Sequence, residues 1–218
     1  MKLVLHNYWR SSASYRVRIG LGLKQLPYDY VAVNLLAAEQ GAETYRARNP
    51  MAQVPTLEIT EADGRTIALT QSLAILEYLD ERWPEPAVLP RDLYLRARAR
   101  QLAEIINSGI QPMQNSGTVR RVVALGGNET DWMRPFIADG LAAFARTAAE
   151  TAGAFCVGDA PTLADVCLVP QLAAVHRFGI PLDPRCDRLL EIEARCLALP
   201  AFASAAPARQ PDAAPVKS

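Results

Sequence analysis

Apolar positions along the chain keep one period, then another. "KLVLHNY" (2–8) is an apolar run of strand length, while Val17, Leu21 and their neighbours between Ser14 and Lys24 share one helical face. "YDYVAVNL" (28–35) predicts a second strand. A helical stretch over 42–48 ends at Asn49-Pro50, because a residue before proline is pushed out of the helical region. "VPTLEIT" (54–60) and "RTIALT" (65–70) predict strands joined by "EADG", with Asp63-Gly64 as the hairpin signal. "QSLAILEYLDERW" (71–83) predicts a helix opening at Ser72. The order β-α-β-α-β-β-α needs parallel strands in its βαβ part and an antiparallel pair in its hairpin.

"PEPAVLP" (84–90) is proline-rich and reads as a linker. Beyond Arg91 strand patterning nearly vanishes, and helices are expected over 92–110, 131–152, 162–178 and near 187–199. The expected organisation is a small α/β domain over 1–83, the linker, and an all-helical domain over 91–218. "APARQPDAAPVKS" (206–218) reads as a loosely ordered tail. Thr162-Leu163-Ala164-Asp165 fits a capping box, which commits Asp165 to structure.

Composition narrows the function classes. The 218 residues are half hydrophobic, enough for a real core. A formal net charge of zero speaks against nucleic acid or an anionic membrane as partner. Cys156, Cys167, Cys186 and Cys196 form no CxxC, and with only His6 and His176 beside them no metal-ligand cluster is expected. They read as buried thiols of a reduced compartment. The N-terminal apolar run is too short for a signal peptide and no run is long enough to span a membrane, so a cytoplasmic protein is expected.

Candidate chemistry sits at the strand-to-helix joins. "RSSASYRVRIG" (10–20) puts Ser11, Ser12 and Ser14 where a helix begins. Unpaired N–H groups and the helix dipole stabilise an anion there, such as a thiolate, although one serine capping the helix explains the same pattern. In "NPMAQVPT" (49–56), Pro55 stands at a strand entry, where it fits either an edge strand or a cis bond that frees Val54 to pair with an extended peptide. In "ALTQSLAILEYL" (68–79), Gln71 precedes Ser72, a predicted cap whose helix end suits a carboxylate.

In that order, and on that pattern of elements, these motifs resemble the glutathione transferase family, which implies a thioredoxin-like domain followed by a helical bundle. "YWRSSASYRVRIGLGLK", "GIQPMQN" and "CVGDAPTLADVCLVPQLAAVHRF" are similar to the zeta class, whose members include maleylacetoacetate and maleylpyruvate isomerases. The resemblance implies glutathione as cofactor, a small dicarboxylate as substrate, a homodimer, and cis–trans isomerisation. It implies that Ser11, assisted by Ser12 and flanked by Ala13, meets the glutathione sulfur. Gln40, Val54 and Pro55 would hold the tripeptide, Gln71 and Ser72 its γ-glutamyl end, and Gln111 and Asn115 would complete the site from the helical domain. Arg10 and Arg177 are candidates for the substrate carboxylates, against a solvated loop arginine and a helix-end cap respectively.

Ala13 replaces the cysteine usual in the family. A free thiol is only roughly 3% ionised at neutral pH, and lowering its pKa by ~2 units takes about 2.7 kcal/mol. A hydrogen bond to a charged group contributes roughly 1.5–3 kcal/mol and a helix N-terminus ~0.3–1 kcal/mol. Ser11 and the helix end therefore suffice without a protein thiol. Conjugation or dehalogenation of small α-halo acids would use the same site, and a transferase-like interaction module would not need it.

Overall fold

The computed structural model describes residues 1–213. Strand β1 (Lys2–Asn7) leads to helix α1 (Ser12–Leu23), then β2 (Asp29–Ala32), a 3-10 turn at Glu39–Gly41 and α2 (Glu43–Arg46). Strands β3 (Thr56–Thr60) and β4 (Thr66–Thr70) and helix α3 (Ser72–Arg82) follow. The sheet order is β2-β1-β3-β4, with β1 parallel to β2 and antiparallel to β3, and β3 antiparallel to β4. This is the predicted β-α-β-α-β-β-α order. Gly64 at φ 85° closes the predicted hairpin, its N–H donating to the carbonyl of Glu61.

Period-2 patterning buries one face of the sheet. Leu3, Leu5, Leu57 and Ile59 pack against Val17 and Leu21 of α1 and Ile75 and Leu79 of α3. Two glycines in α1 permit close approach: a Cβ on Gly20 would lie 2.2 Å from Leu76 Cδ2, and one on Gly22 3.2 Å from Ala201 Cα. Lys24, just past the end of α1, is buried and satisfied. Its ammonium donates to Asp80 Oδ1 (2.6 Å) and to the carbonyls of Trp83 (2.6 Å) and Pro86 (2.7 Å).

The helical elements are α4 (Leu93–Glu104), a π-helical turn at Ile105–Ile110, α5 (Gln111–Gln114), α6 (Ser116–Ala124), α7 (Glu129–Ala148), α8 (Leu163–Phe178), α9 (Asp187–Leu197) and α10 (Pro200–Ala205). Helix α8 is buried along most of its length, as the core helix of its unit. Its capping box is present: Asp165 accepts from the Thr162 N–H (2.8 Å) and the Cys156 N–H (2.9 Å). The helix expected over 92–110 instead changes winding at Ile105. Pro112 has no N–H to give to the carbonyl four residues back, and the ladder shifts ahead of it.

The chain divides differently from the expected 1–83 and 91–218. One unit is Met1–Ala87 together with the chain from Leu199 onward, and the other is Val88–Ala198. The physical reason is α10, which packs on α1 at Gly22 and takes hydrogen bonds from Tyr15 Oη to the Phe202 carbonyl and from Arg18 Nε to the Ala205 carbonyl. The expected loose tail is likewise ordered as far as it is described. Pro207–Arg209 forms a 3-10 turn, Gln210 donates to the carbonyls of Ser204 and Ala206, and Asp212 accepts hydrogen bonds from β-strand and loop groups. The rest of that tail, residues 214–218, lies outside the described residues.

Lys24 and Asp80 generate a stability prediction. Lys24→Met takes the paired ammonium away from the buried Asp80 carboxylate, a loss of about 3–5 kcal/mol. Urea unfolding should show that loss, and the double variant Lys24→Met/Asp80→Leu should recover most of it.

Candidate active site

Strand register brings the sequence motifs to one end of the sheet. His6 of β1 pairs with Thr56 of β3, and Thr56 pairs with Thr70 of β4. The chain leaving β1 (Tyr8 to Ser11), the chain entering β3 (Val54-Pro55) and the chain leaving β4 (Gln71-Ser72) therefore emerge together. β2 runs parallel to β1, so the turn containing Gln40 follows at that same end. Beneath these segments Tyr8, Val33, Tyr45 and Val54 form a separate buried cluster.

Ser11 is the N-cap of α1, at φ −69° and ψ 122°, and its Oγ accepts from the Ser14 N–H at 3.2 Å. A capping serine uses a lone pair on the helix and keeps its O–H proton for a ligand. Ser12 and Ala13 begin the helix behind it. Ser14 is fully buried, and its Oγ has no hydrogen-bond partner.

Two buried arginines fix this corner, and sequence reading missed both as site residues. Arg18 is 1% exposed. Its guanidinium donates to Asn7 Oδ1 (2.9 Å) and to the carbonyls of Tyr8 (3.4 Å), Trp9 (2.9 Å) and Ala205 (3.0 Å). Burial pushes its pKa down, against the nearby tyrosines and Asp212. Arg16, also 1% exposed, donates to Ser72 Oγ at 3.2 Å and so ties α1 to the start of α3. The signal was present: "SASYRVRIGLGL" holds two arginines and no acid.

The Val54–Pro55 bond is cis, and the β3 ladder begins only at Thr56. Tyr45 Oη donates to the Gln53 carbonyl (2.7 Å) and contacts Thr56 Oγ1 (3.0 Å), and Asn49 Nδ2 donates to the same carbonyl at 2.6 Å. These bonds brace the backbone on either side of Val54. Gln40 Oε1 is a buried amide oxygen without a partner. Ser72 is not the cap that the sequence suggested. Gln71 holds that position, at φ 68° and ψ 114° and with no side-chain cap bond, and Ser72 is the first helical residue. A positive φ at a non-glycine residue is strained backbone of the kind kept at binding sites.

The remaining candidates have distinct settings. Arg10 is exposed, its Cζ 5.7 Å from the Trp9 ring centroid. In the helical unit, Gln111 Oε1 accepts from Gln114 Nε2 (3.3 Å), and Gln114 exchanges a pair of amide hydrogen bonds with Gln171 (2.9 and 3.1 Å). Asn115 caps α6 through a bond from the Gly117 N–H. Arg177 lies in the last turn of α8, its Cζ 4.4 Å from the Phe178 ring centroid. Gly179, in the left-handed region, closes that helix end with its own N–H. Cys156, Cys167, Cys186 and Cys196 are free and buried, and burial raises the pKa of Cys156, Cys186 and Cys196. Among the described residues no group of His, Cys, Asp and Glu could hold a metal ion, and no helix is long and apolar enough to cross a membrane.

The family model for the N-terminal domain of glutathione S-transferase matches residues 10–82. A maleylacetoacetate isomerase of Rattus norvegicus is 45% identical over 213 residues, covering 97% of this chain and 95% of its own length. The crystal structure of maleylacetoacetate isomerase from Anaeromyxobacter dehalogenans 2CP-1, with GSH bound in its active site, matches with a TM-score of 0.90 at 54% identity, covering 98% of each chain. A holo structure of maleyl pyruvate isomerase, a bacterial glutathione S-transferase in the zeta class, matches with a TM-score of 0.89 at 37% identity, over 97% of this chain and 100% of that one. A thioredoxin-like sheet unit and a helical unit, with the serine, cis-proline and Gln-Ser motifs on one end of that sheet, thus accompany identity along almost the whole sequence: the chain belongs to the glutathione transferase family, in its zeta-class maleylacetoacetate isomerase branch.

Proposed function

We propose that this protein is a glutathione-dependent isomerase that converts maleylacetoacetate to fumarylacetoacetate in aromatic amino-acid catabolism. The observation that carries the reading is the meeting of two helix N-termini, one capped by Ser11 and one led by Gln71-Ser72, with the Val54 backbone at one end of the sheet. The donor set suits a tripeptide thiol. Ser11 retains a hydroxyl donor, Gln40 carries an unpartnered buried oxygen, and the N-terminus of α3 suits a carboxylate.

Glutathione, when bound, supplies a thiolate that adds reversibly to the cis double bond of the substrate. Ser11 would donate its O–H to the sulfur and lower the thiol pKa, aided by the dipole of α1. Val54 and Gln40 would hold the peptide backbone. Ser72, fixed by Arg16, would take the γ-glutamyl end with Gln71. Arg177 and Arg10 would neutralise the substrate carboxylates and charge developing beside them, and Gln111 and Asn115 would add polar contacts to the bound glutathione. The reading includes a cytoplasmic homodimer.

The 37% identity to a maleyl pyruvate isomerase favours maleylpyruvate as the second candidate substrate. Incubation with each compound, with and without glutathione, decides the matter. Glutathione-dependent turnover that is faster with maleylacetoacetate supports the proposal. Turnover of maleylpyruvate alone replaces the substrate, and no glutathione-dependent turnover overturns it.

Several variants probe the residues. Ser11→Ala should cut kcat/KM about a hundredfold or more and, by removing a cap, cost about 1 kcal/mol of stability. Ser11→Asp keeps a capping oxygen but repels a thiolate, so it should stay folded and be equally inactive. Ser72→Ala should raise KM for glutathione with little change in kcat, since it removes binding shared by ground and transition states.

Arg177→Leu should slow the dicarboxylate reaction by thirty- to a thousandfold, equivalent to ~2–4 kcal/mol. Conjugation of a neutral chloronitrobenzene should be nearly unaffected. Gly179 already closes the helix end, so the melting temperature should hold. Parallel loss of both activities together with stability would return Arg177 to a structural role. Finally, the buried thiols should react with Ellman's reagent only slowly in the native protein and fully after denaturation.

A further inference from the structure

We infer that Asp212 is a positioning residue for Ser11, acting through the peptide unit between Tyr8 and Trp9; the inference rests on the reading of Ser11 as the donor to the glutathione sulfur. Asp212 lies 201 positions along the chain from Ser11, in a segment that the sequence marks only as a polar tail. Its Oδ2 accepts from the Trp9 N–H at 3.1 Å, and its Oδ1 accepts a short hydrogen bond from Tyr30 Oη.

The opposite end of the same peptide unit faces a cation. The Tyr8 carbonyl accepts from Arg18 Nη1 at 3.4 Å and from the Ser11 N–H at 3.0 Å. The next carbonyl, that of Trp9, accepts from Arg18 Nη2 at 2.9 Å. The peptide dipole thus lies between a carboxylate on its N–H and a guanidinium on its C=O, which favours one orientation of the plane. That orientation sets the acceptor for the Ser11 N–H, and with it the direction from which the Ser11 side chain caps α1.

Asp212 is itself held in place. Gln210 is 9% exposed and donates to the carbonyls of Ser204 (2.8 Å) and Ala206 (2.9 Å), and the Ala213 N–H donates to the Gln210 carbonyl at 3.0 Å. Tyr30 belongs to β2, on the edge of the sheet beside β1. The carboxylate therefore spans a strand and the loop that leads into the active site. Burial, together with the bond to Asp212, raises the pKa of Tyr30, so its hydroxyl stays a donor at working pH. Without Asp212 the Trp9 N–H loses its acceptor, while the contacts of the loop to Arg18 remain.

The test uses Asp212→Ala, Asp212→Asn and Tyr30→Phe in the full chain. In ligand-free protein, hydrogen exchange at the amides of Trp9 and Ser11 should quicken by about tenfold or more in Asp212→Ala. The ladder amides of Leu5 and Ile59 should not change. With glutathione added, thiolate absorbance against pH should show the bound thiol titrating roughly 0.5–1 unit higher, which for a thiol already lowered by ~2 units is roughly a 1.5- to threefold loss of thiolate at neutral pH. kcat should fall in proportion while KM for glutathione changes little, a split that simple destabilisation does not produce. Tyr30→Phe, which removes one of the two donors and leaves the Trp9 contact, should give a smaller effect in the same direction, and Asp212→Asn serves if Asp212→Ala fails to fold.

Exchange that quickens only within residues 206–213, with the thiol titration unchanged, would reduce Asp212 to a latch for the tail and overturn the inference. An unchanged thiol titration in Ser11→Ala would instead overturn the reading of Ser11, and the catalytic consequence of Asp212 with it. A normal Ser11 dependence beside an unresponsive Trp9 amide would sink the role of Asp212 alone.

Discussion

The guanidinium of Arg18 sits where a sheet, the loop from β1 to α1 and the returning end of the chain converge, and it donates to a carbonyl or amide oxygen of each. No carboxylate bonds to it directly among the described residues. Burying a cation against neutral oxygens is costly, which its lowered pKa records. Several charge-assisted bonds, each roughly 1.5–3 kcal/mol, offset that cost only while all the acceptors stay in place. The fan of arginine donors matches several carbonyls at once, and a lysine at this position could not. The path of the backbone between β1 and α1, and so the position of Ser11, follows from this requirement.

The helical unit meets a similar need with the opposite charge. Asp165, near the start of α8, is fully buried and collects the N–H groups of Cys156 and Thr162 and the Thr162 hydroxyl. Burial raises its pKa, and the hydrogen bonds oppose the shift. In each unit a charged side chain on a core helix gathers the backbone groups of an adjoining loop that has no ladder to pair with. A cation gathers carbonyls in one, and an anion gathers amides in the other.

Much of this was legible in the sequence. Apolar and β-rich runs of strand length marked the four strands, and Asp63-Gly64 the hairpin, because local sterics decide both. Ser11, Val54-Pro55 and Gln71 could be read because turns and helix starts restrict residue type. Three features escaped for physical reasons. α6 buries only Val119, so its apolar face was too thin to register. α10 is six residues long and draws its stability from α1 rather than from propensity. Arg16 and Arg18 went unread because charge normally means solvent. Only the covering of α1 from two sides turns them inward. The exchange of Ser72 for Gln71 at the cap reflects a one-residue shift at a helix end, where sequence rules resolve poorly.

The return of α10 also orders events in time. Arg18 finds its Ala205 acceptor 187 positions downstream. Until that stretch leaves the ribosome, the nascent sheet unit carries an uncovered α1, with Gly22 open and a guanidinium short of acceptors. Domains commonly fold as they emerge, N-terminal first. Here the sheet unit emerges before α10 and is finished only with it, so the loop from β1 to α1 is set only once the helical unit and α10 have been made. An interrupted chain that keeps every recognised active-site motif would still lack the fixed geometry those motifs need.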